Sequence, residues 1–208
     1  MKFPTQKLLT MLVLTACLGA CAPVMLGGAV MGTMMATDRR TSGTQLEDEG
    51  IELKAANRVR DNLGERGHFN VTSYNRQVLV TGEVPSAQDK QLVEQVVSKV
   101  ENVRSVINEM VVMENSSLSQ RSSDVLITGR IKASLVDAQD LFANAFKVVT
   151  ERGTVYLMGR VTQREAGRAT DIARSIDGVK KVVRVMEIIS EEELQRMLPK
   201  PAPAEPKK

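Results

Sequence analysis

Two stretches of this chain repeat each other, which limits it to folds built from one module used twice. Val78-Leu79-Val80-Thr81-Gly82-Glu83-Val84 aligns with Val155-Tyr156-Leu157-Met158-Gly159-Arg160-Val161. Upstream, Phe69-Asn70-Val71-Thr72 aligns with Phe146-Lys147-Val148-Val149 at the same offset, and Val59 and Leu63 align with Ile131 and Leu135 after a five-residue loop difference. Downstream, Val103, Val106 and Met110 match Val179, Val182 and Met186. A period of about 70 residues is that of a small module. Such a unit buries only about 60% of its unfolded surface, so a second copy packed alongside would help it stay folded.

Each module reads as helix, strand, strand, helix, strand. In the first, Ala55, Val59 and Leu63 predict a helix over 51–63, and alternating residues predict strands over 69–74 and 77–84 around the turn Asn75-Arg76. Pro85-Ser86 then starts a helix with Leu92, Val93, Val96, Val97 and Val100 inward, and 104–113 forms the last strand. The second module repeats this with helices near 123–136 and 163–176 and strands near 146–151, 154–161 and 180–189. Gly82 and Gly159 are read as points where a strand leaves the sheet, permitting a bulge or a backbone approach too close for a Cβ. The expected class is α+β: two αββαβ modules, 46–115 and 121–190, each a three-stranded mixed sheet packed with two helices.

The N-terminus addresses the chain to a membrane. Lys2 and Lys7 precede an apolar run from Leu8 to Ala20 that is too short to span a bilayer but suits a secretory signal. Leu18-Gly19-Ala20-Cys21 has the form of a bacterial lipobox, which makes 1–20 a signal peptide and Cys21 the acylated first residue. Leu14-Thr15-Ala16-Cys17 also fits, but cleavage there would leave an unpaired second thiol in an oxidising compartment. Ala22, rather than Asp, resembles lipoproteins sent on to the outer membrane. Residues 21–45 are expected to be a membrane-proximal tether, and 191–208 a short helix followed by a Pro/Lys-rich tail.

Composition narrows the chemistry. One His, two Cys and no Trp leave few groups for metal binding, covalent catalysis or base stacking. His68 is read as an ordinary loop residue with no Cys or second His to complete a metal site, so neither a metal nor a cofactor is expected. No catalytic residue is assigned, and the protein is expected not to be an enzyme. The net charge of +3 conceals an uneven distribution. Residues 46–115 hold 8 Lys/Arg against 12 Asp/Glu, and residues 121–190 hold 12 against 8. The second module therefore suits an anionic partner, although opposite charges on neighbouring modules also attract each other. Nucleic acid is set aside, because aromatic platforms are scarce and export removes that ligand.

A lipobox followed by two copies of helix, a hairpin reading Val-x-Leu/Val-x-Gly-x-Val, helix and strand resembles the paired BON domains of outer-membrane lipoproteins. The resemblance extends from Cys21 to about Ser190 and includes Ala36-Thr37-Asp38-Arg39-Arg40. It implies attachment to the inner leaflet of the outer membrane, binding of anionic phospholipid through the second module, and a role in envelope integrity around division.

The first helix of each module offers a test that owes nothing to the family. In the second module Ile127, Ile131 and Leu135 mark the core face, with Asp124 and Thr128 beside them. Opposite lie Val125, Leu126, Gly129, Ala133 and Val136, flanked by Arg130 and Lys132. The positions matched to them in the first module, Leu53, Lys54, Asn57, Asp61 and Gly64, are mostly polar. The second stripe is therefore read as the phospholipid-binding face, suited to a phosphatidylglycerol-like lipid. The alternative occupants are the first module or an envelope-assembly protein.

Overall fold

A buried aspartate sets the geometry of each module. The computed structural model describes residues 38–197, so Cys21, the signal segment, most of the tether and the Pro/Lys tail lie outside the described residues. Helix α1 (Ser42–Leu63) starts at the N-cap Thr41, whose side chain accepts from the Thr44 amide. On its buried face Asp48 Oδ2 accepts from the Asn75 amide at 2.8 Å and Oδ1 from the Arg76 amide at 2.8 Å. These two residues form the turn between strands β1 (His68–Tyr74) and β2 (Gln77–Val84), with φ of 51° and 62°. Left-handed backbone at both turn positions matches the twist of a two-residue hairpin, and the carboxylate offsets its cost by satisfying both amides.

The second module repeats the device. Helix α3 is Leu118–Asp137, and Asp124 accepts from the Arg152 and Gly153 amides, both at 2.8 Å, in the turn joining β5 (Phe146–Glu151) to β6 (Thr154–Thr162). This pins the alignment of the repeats more firmly than apolar spacing does. Asp48 matches Asp124, so Ile51, Ala55 and Val59 match Ile127, Ile131 and Leu135, one helical turn away from the pairing of Val59 with Ile131 expected from sequence. Leu63 is the last residue of α1, which runs two residues further than α3 does.

Both helices begin earlier than their apolar periodicity indicates, α1 by nine residues and α3 by five relative to the expected starts. The cause is capping: Ser117 accepts from the Gln120 amide just as Thr41 does from Thr44, and a first turn with no buried apolar residue follows each cap. Residues 42–45, expected in the tether, are thus helical, and Asp38-Arg39-Arg40 is tied to the body of the protein. Arg39 makes two bonds to Glu165, at 2.8 and 2.6 Å, and donates to the Arg160 carbonyl. Arg40 bridges Asp38 and Asp48 and lies 4.3 Å over the Tyr74 ring.

After each hairpin a helix, α2 (Ala87–Ser98) or α4 (Gln163–Arg174), crosses over to a strand parallel to the hairpin's second strand. Strand β7 (Lys181–Ile189) pairs with β6 over nine residues, from Thr154↔Lys181 to Thr162↔Ile189. Its counterpart is broken. The single strand expected over 104–113 is β3 (Ser105–Asn108) and β4 (Val111–Val112), which gives the first sheet four strands instead of three. At the break the Asn108 side chain accepts from the Met110 amide and donates to the Lys90 carbonyl, and Met110 turns into the core. A last helix, α5, spans Glu191–Met197.

Alternation along the central strands divides the apolar residues between two layers of contact. Val78, Val80 and Val84 pack under α1 and α2, and Val155, Leu157 and Val161 pack under α3 and α4. The opposite faces, through Tyr74, Leu79, Tyr156, Met158 and Val185, join the two sheets in a shared core. The arrangement is four layers: helices, sheet, sheet, helices. Lys147 to Glu52 at 2.7 Å and Arg152 to Glu83 at 3.2 Å cross between the modules, each pairing a base of the second with an acid of the first. Gly82 and Gly159 lie within paired strands, opposite Phe69 and Phe146, so the strands do not leave the sheet there. Their reason is close approach: a Cβ on Gly82 would collide with the His68 carbonyl, and one on Gly159 would lie 2.5 Å from the Ala145 oxygen.

Candidate membrane-facing helix

Helix α3 has two apolar faces with different fates. Asp124, Ile127, Ile131 and Leu135 are buried against the second sheet and α4. The other face is exposed along its whole length: Val125, Leu126, Gly129, Arg130, Lys132, Ala133 and Val136 all lie in solvent. Val125 is 70% exposed, Leu126 63% and Val136 70%. The modules meet through their sheets, so neither the first module nor any other described segment covers this face.

The helix start adds a residue that the sequence reading missed. Leu118, 80% exposed, belongs to α3. At about 100° per residue, Leu118, Val125, Gly129 and Val136 fall within about 40° of one line, with Leu126 and Ala133 beside it. From Leu118 to Val136 the ridge is about 27 Å long at 1.5 Å per residue. Lys132 flanks one side, Arg130 lies beyond Leu126 on the other, and neither forms an ion pair among the described residues. A Cβ built on Gly129 would touch nothing within 4 Å, so packing does not require glycine there.

The corrected alignment sharpens the contrast with the first module. The counterparts of Leu118, Val125, Leu126, Ala133 and Val136 are Ser42, Glu49, Gly50, Asn57 and Arg60. Gly129 is matched by Leu53, which is 65% exposed, and Leu46 one heptad earlier is 71% exposed. These two leucines are separated by Glu49 and Gly50, whereas the α3 ridge has no acidic residue between Val125 and Val136.

At the base of the ridge, Val125 forms one wall of an open groove of about 270 Å³ that also holds His68, Arg121, Thr128 and Glu151. His68 is not in a loop but opens β1, opposite Glu83. Among the described residues His68, Glu83 and Glu151 form a group whose potential donor atoms lie within 4.8 Å of one another. No helix among the described residues is long and apolar enough to cross a membrane.

Comparison with known proteins gives a consistent picture. The family model described as BON domain matches residues 48–114 and again 123–190. The outer membrane lipoprotein DolP of Haemophilus influenzae is 37% identical over 188 residues, spanning 89% of this chain and 97% of that protein. A 21 kDa hemolysin of Actinobacillus pleuropneumoniae is 34% identical over 154 residues, 73% of this chain and 79% of its own length. The osmotically-inducible protein Y of Escherichia coli is 31% identical over 145 residues, 67% and 72% of the two chains.

Proposed function

The chain belongs to the BON-domain family, with the domain present twice, and from that premise we propose that it is a lipid-anchored outer-membrane protein whose second domain binds anionic phospholipid. Acylated Cys21 holds the chain to the inner leaflet, and α3 lies against the bilayer surface. Leu118, Val125, Leu126 and Val136 enter the interface, while Arg130 and Lys132 engage headgroup phosphates. The function is non-enzymatic, and the role it serves is the integrity of the outer membrane, including at the division site.

The observation that carries this reading is the solvent-exposed ridge on α3, edged by two cations and absent from the equivalent helix of the first domain. Full burial of a Leu or Val side chain is worth about 1.5–3 kcal/mol, so shallow insertion of residues about two-thirds exposed recovers roughly 1–2 kcal/mol each. A cation near an anionic surface adds about 1 kcal/mol.

The test is flotation of the chain lacking residues 1–21 with vesicles of phosphatidylglycerol and phosphatidylcholine, against vesicles of phosphatidylcholine alone. Binding to the anionic vesicles only is expected, with Leu126→Ser/Val136→Ser weakening it about 30-fold or more, the equivalent of 2 kcal/mol. Removing the whole second domain is a poorer test, because it would uncover Tyr74 and Leu79 of the shared core. Unchanged flotation of a folded double variant rejects the lipid reading. A self-associated chain that dissociates on the same changes indicates a protein-binding face instead.

A further inference from the structure

We propose that His68, Glu83 and Glu151 form a binding site for one divalent cation of the zinc class, across the junction of the two BON domains. The three residues come from separate strands: His68 opens β1, Glu83 lies in β2, and Glu151 ends β5 of the other domain. His68 Nδ1 is 3.3 Å from Glu83 Oε2 and 3.8 Å from Glu151 Oε1. An ion with bonds of about 2.0–2.1 Å in tetrahedral geometry separates its ligands by about 3.3–3.4 Å. One edge of that tetrahedron is already present, and a second closes with a shift of a few tenths of an ångström.

The surroundings of the three groups fit a cation site. His68 Nδ1 is buried and has no hydrogen-bond partner, although two carboxylates stand beside it. Those carboxylates are 0% and 6% exposed. The oxygens turned away from His68 are held from outside, Glu83 Oε1 by Arg152 at 3.2 Å and Glu151 Oε2 by Asn70 at 2.9 Å. Glu83 Oε2, which faces His68, also accepts from the Ser116 amide and hydroxyl at 3.2 Å, bonds that an ion would share or displace. Such outer bonds orient metal ligands in known sites. Burial and the Arg121 charge lower the His68 pKa, and the neighbouring Glu83 carboxylate opposes that shift. Burial, together with the charges of Glu83 and Asp124, pushes the Glu151 carboxyl above its usual range despite the Asn70 bond.

The repeat provides an internal comparison. At the hairpin offset that pairs Val78 with Val155, His68 corresponds to Ala145, Glu83 to Arg160, and Glu151 to Tyr74. The fold is completed at that end by Ala145, Arg160 and Tyr74, whose hydroxyl donates to the Ala145 carbonyl at 3.4 Å. Imidazole and carboxylate donors are therefore not a requirement of the sheet packing. One imidazole and only three protein donors favour a transition-metal ion over calcium or magnesium, which take six or more oxygen ligands. The groove beside Val125, lined by His68 and Glu151, gives the ion a way in. The nearby guanidinium of Arg152 makes the affinity lower than that of a thiolate site.

His68 is the only histidine in the chain, so its ring signals in a proton NMR spectrum of the untagged full chain are unambiguous. Titration of chelator-treated protein with Zn²⁺ is expected to move those signals to completion at one equivalent, and Co²⁺ is expected to broaden them. Calorimetry with Zn²⁺ should give one ion per chain, with His68→Gln and Glu151→Gln each weakening binding at least tenfold while the circular dichroism stays native. Ring signals unmoved by a tenfold excess of Zn²⁺ overturn the proposal, as does binding retained within threefold in both folded variants. The wild-type NMR titration decides the matter even if a variant fails to fold.

Discussion

Replacing Asp48 by Asn should damage the protein more than the same change at its repeat partner, Asp124. Asp48 is fully buried and accepts four hydrogen bonds on two oxygens: from Ser73 Oγ at 2.6 Å, and from the Arg76 amide, the Asn75 amide and Arg40 Nη1, each at 2.8 Å. An asparagine keeps one acceptor oxygen and turns an amino group toward two of those donors. Two bonds to a charged acceptor, at about 1.5–3 kcal/mol each, give an expected loss of about 3–6 kcal/mol. Asp124 accepts two backbone amides at 2.8 Å and a longer bond from Gln120 at 3.4 Å, so about 1.5–3 kcal/mol is expected there. Urea denaturation followed by circular dichroism at pH 7 measures both. A loss under about 1 kcal/mol at Asp48, or a larger loss at Asp124, refutes the assignment of the turn's stability to this carboxylate.

The same group predicts the acid limb of stability. Burial alone would raise the Asp48 carboxyl, but its bonds from Ser73, Arg76, Arg40 and Asn75 outweigh burial and hold it below the usual range. Glu165 is likewise raised by burial and brought below its ordinary value by Arg39 and the Thr162 amide. A carboxyl with a lowered folded pKa contributes stability that is complete above its unfolded pKa of about 4 and lost as pH falls toward the folded value. Stability should therefore decline below about pH 4, and Asp48→Asn should flatten that decline.

Three further outcomes are expected. Gly82→Ala, which combines a φ of 123° with a collision against the His68 carbonyl, should cost more than about 2 kcal/mol by denaturant titration. Gly129→Ala meets no neighbour and should raise the melting temperature by roughly 2–4 °C through helix propensity of up to about 1 kcal/mol. Arg39→Ala breaks a pair whose side chains are 5% and 1% exposed and should cost about 3–5 kcal/mol, whereas Lys54→Ala, in a pair that is 54% and 74% exposed, should cost under about 1 kcal/mol.

The hairpins were legible because a period of two and a repeated Val-x-Leu/Val-x-Gly-x-Val leave little choice of register. Strand β5 has the expected bounds, and β6 runs one residue further, to Thr162. Helix starts were less legible. Apolar periodicity marks the part of a helix that touches the core, while α1 and α3 begin with turns that bury no apolar residue, set by Thr41 and Ser117. For that reason Leu118 escaped the reading of the ridge, although Val125, Leu126, Gly129, Arg130, Lys132, Ala133 and Val136 are placed together on the exposed face. The cluster of His68, Glu83 and Glu151 had no sequence signal. Its members are 15 and 68 residues apart along the chain, and only the packing of one sheet on the other brings them together.

Because the two sheets spend their inner faces on each other, each domain's helices look outward in opposite directions. A molecule resting α3 on a bilayer turns α1 and α2 toward the aqueous side. On the proposed reading, docking to lipid through α3 would leave the helices of the acidic domain open to a soluble companion, a floor and a roof from one duplicated module.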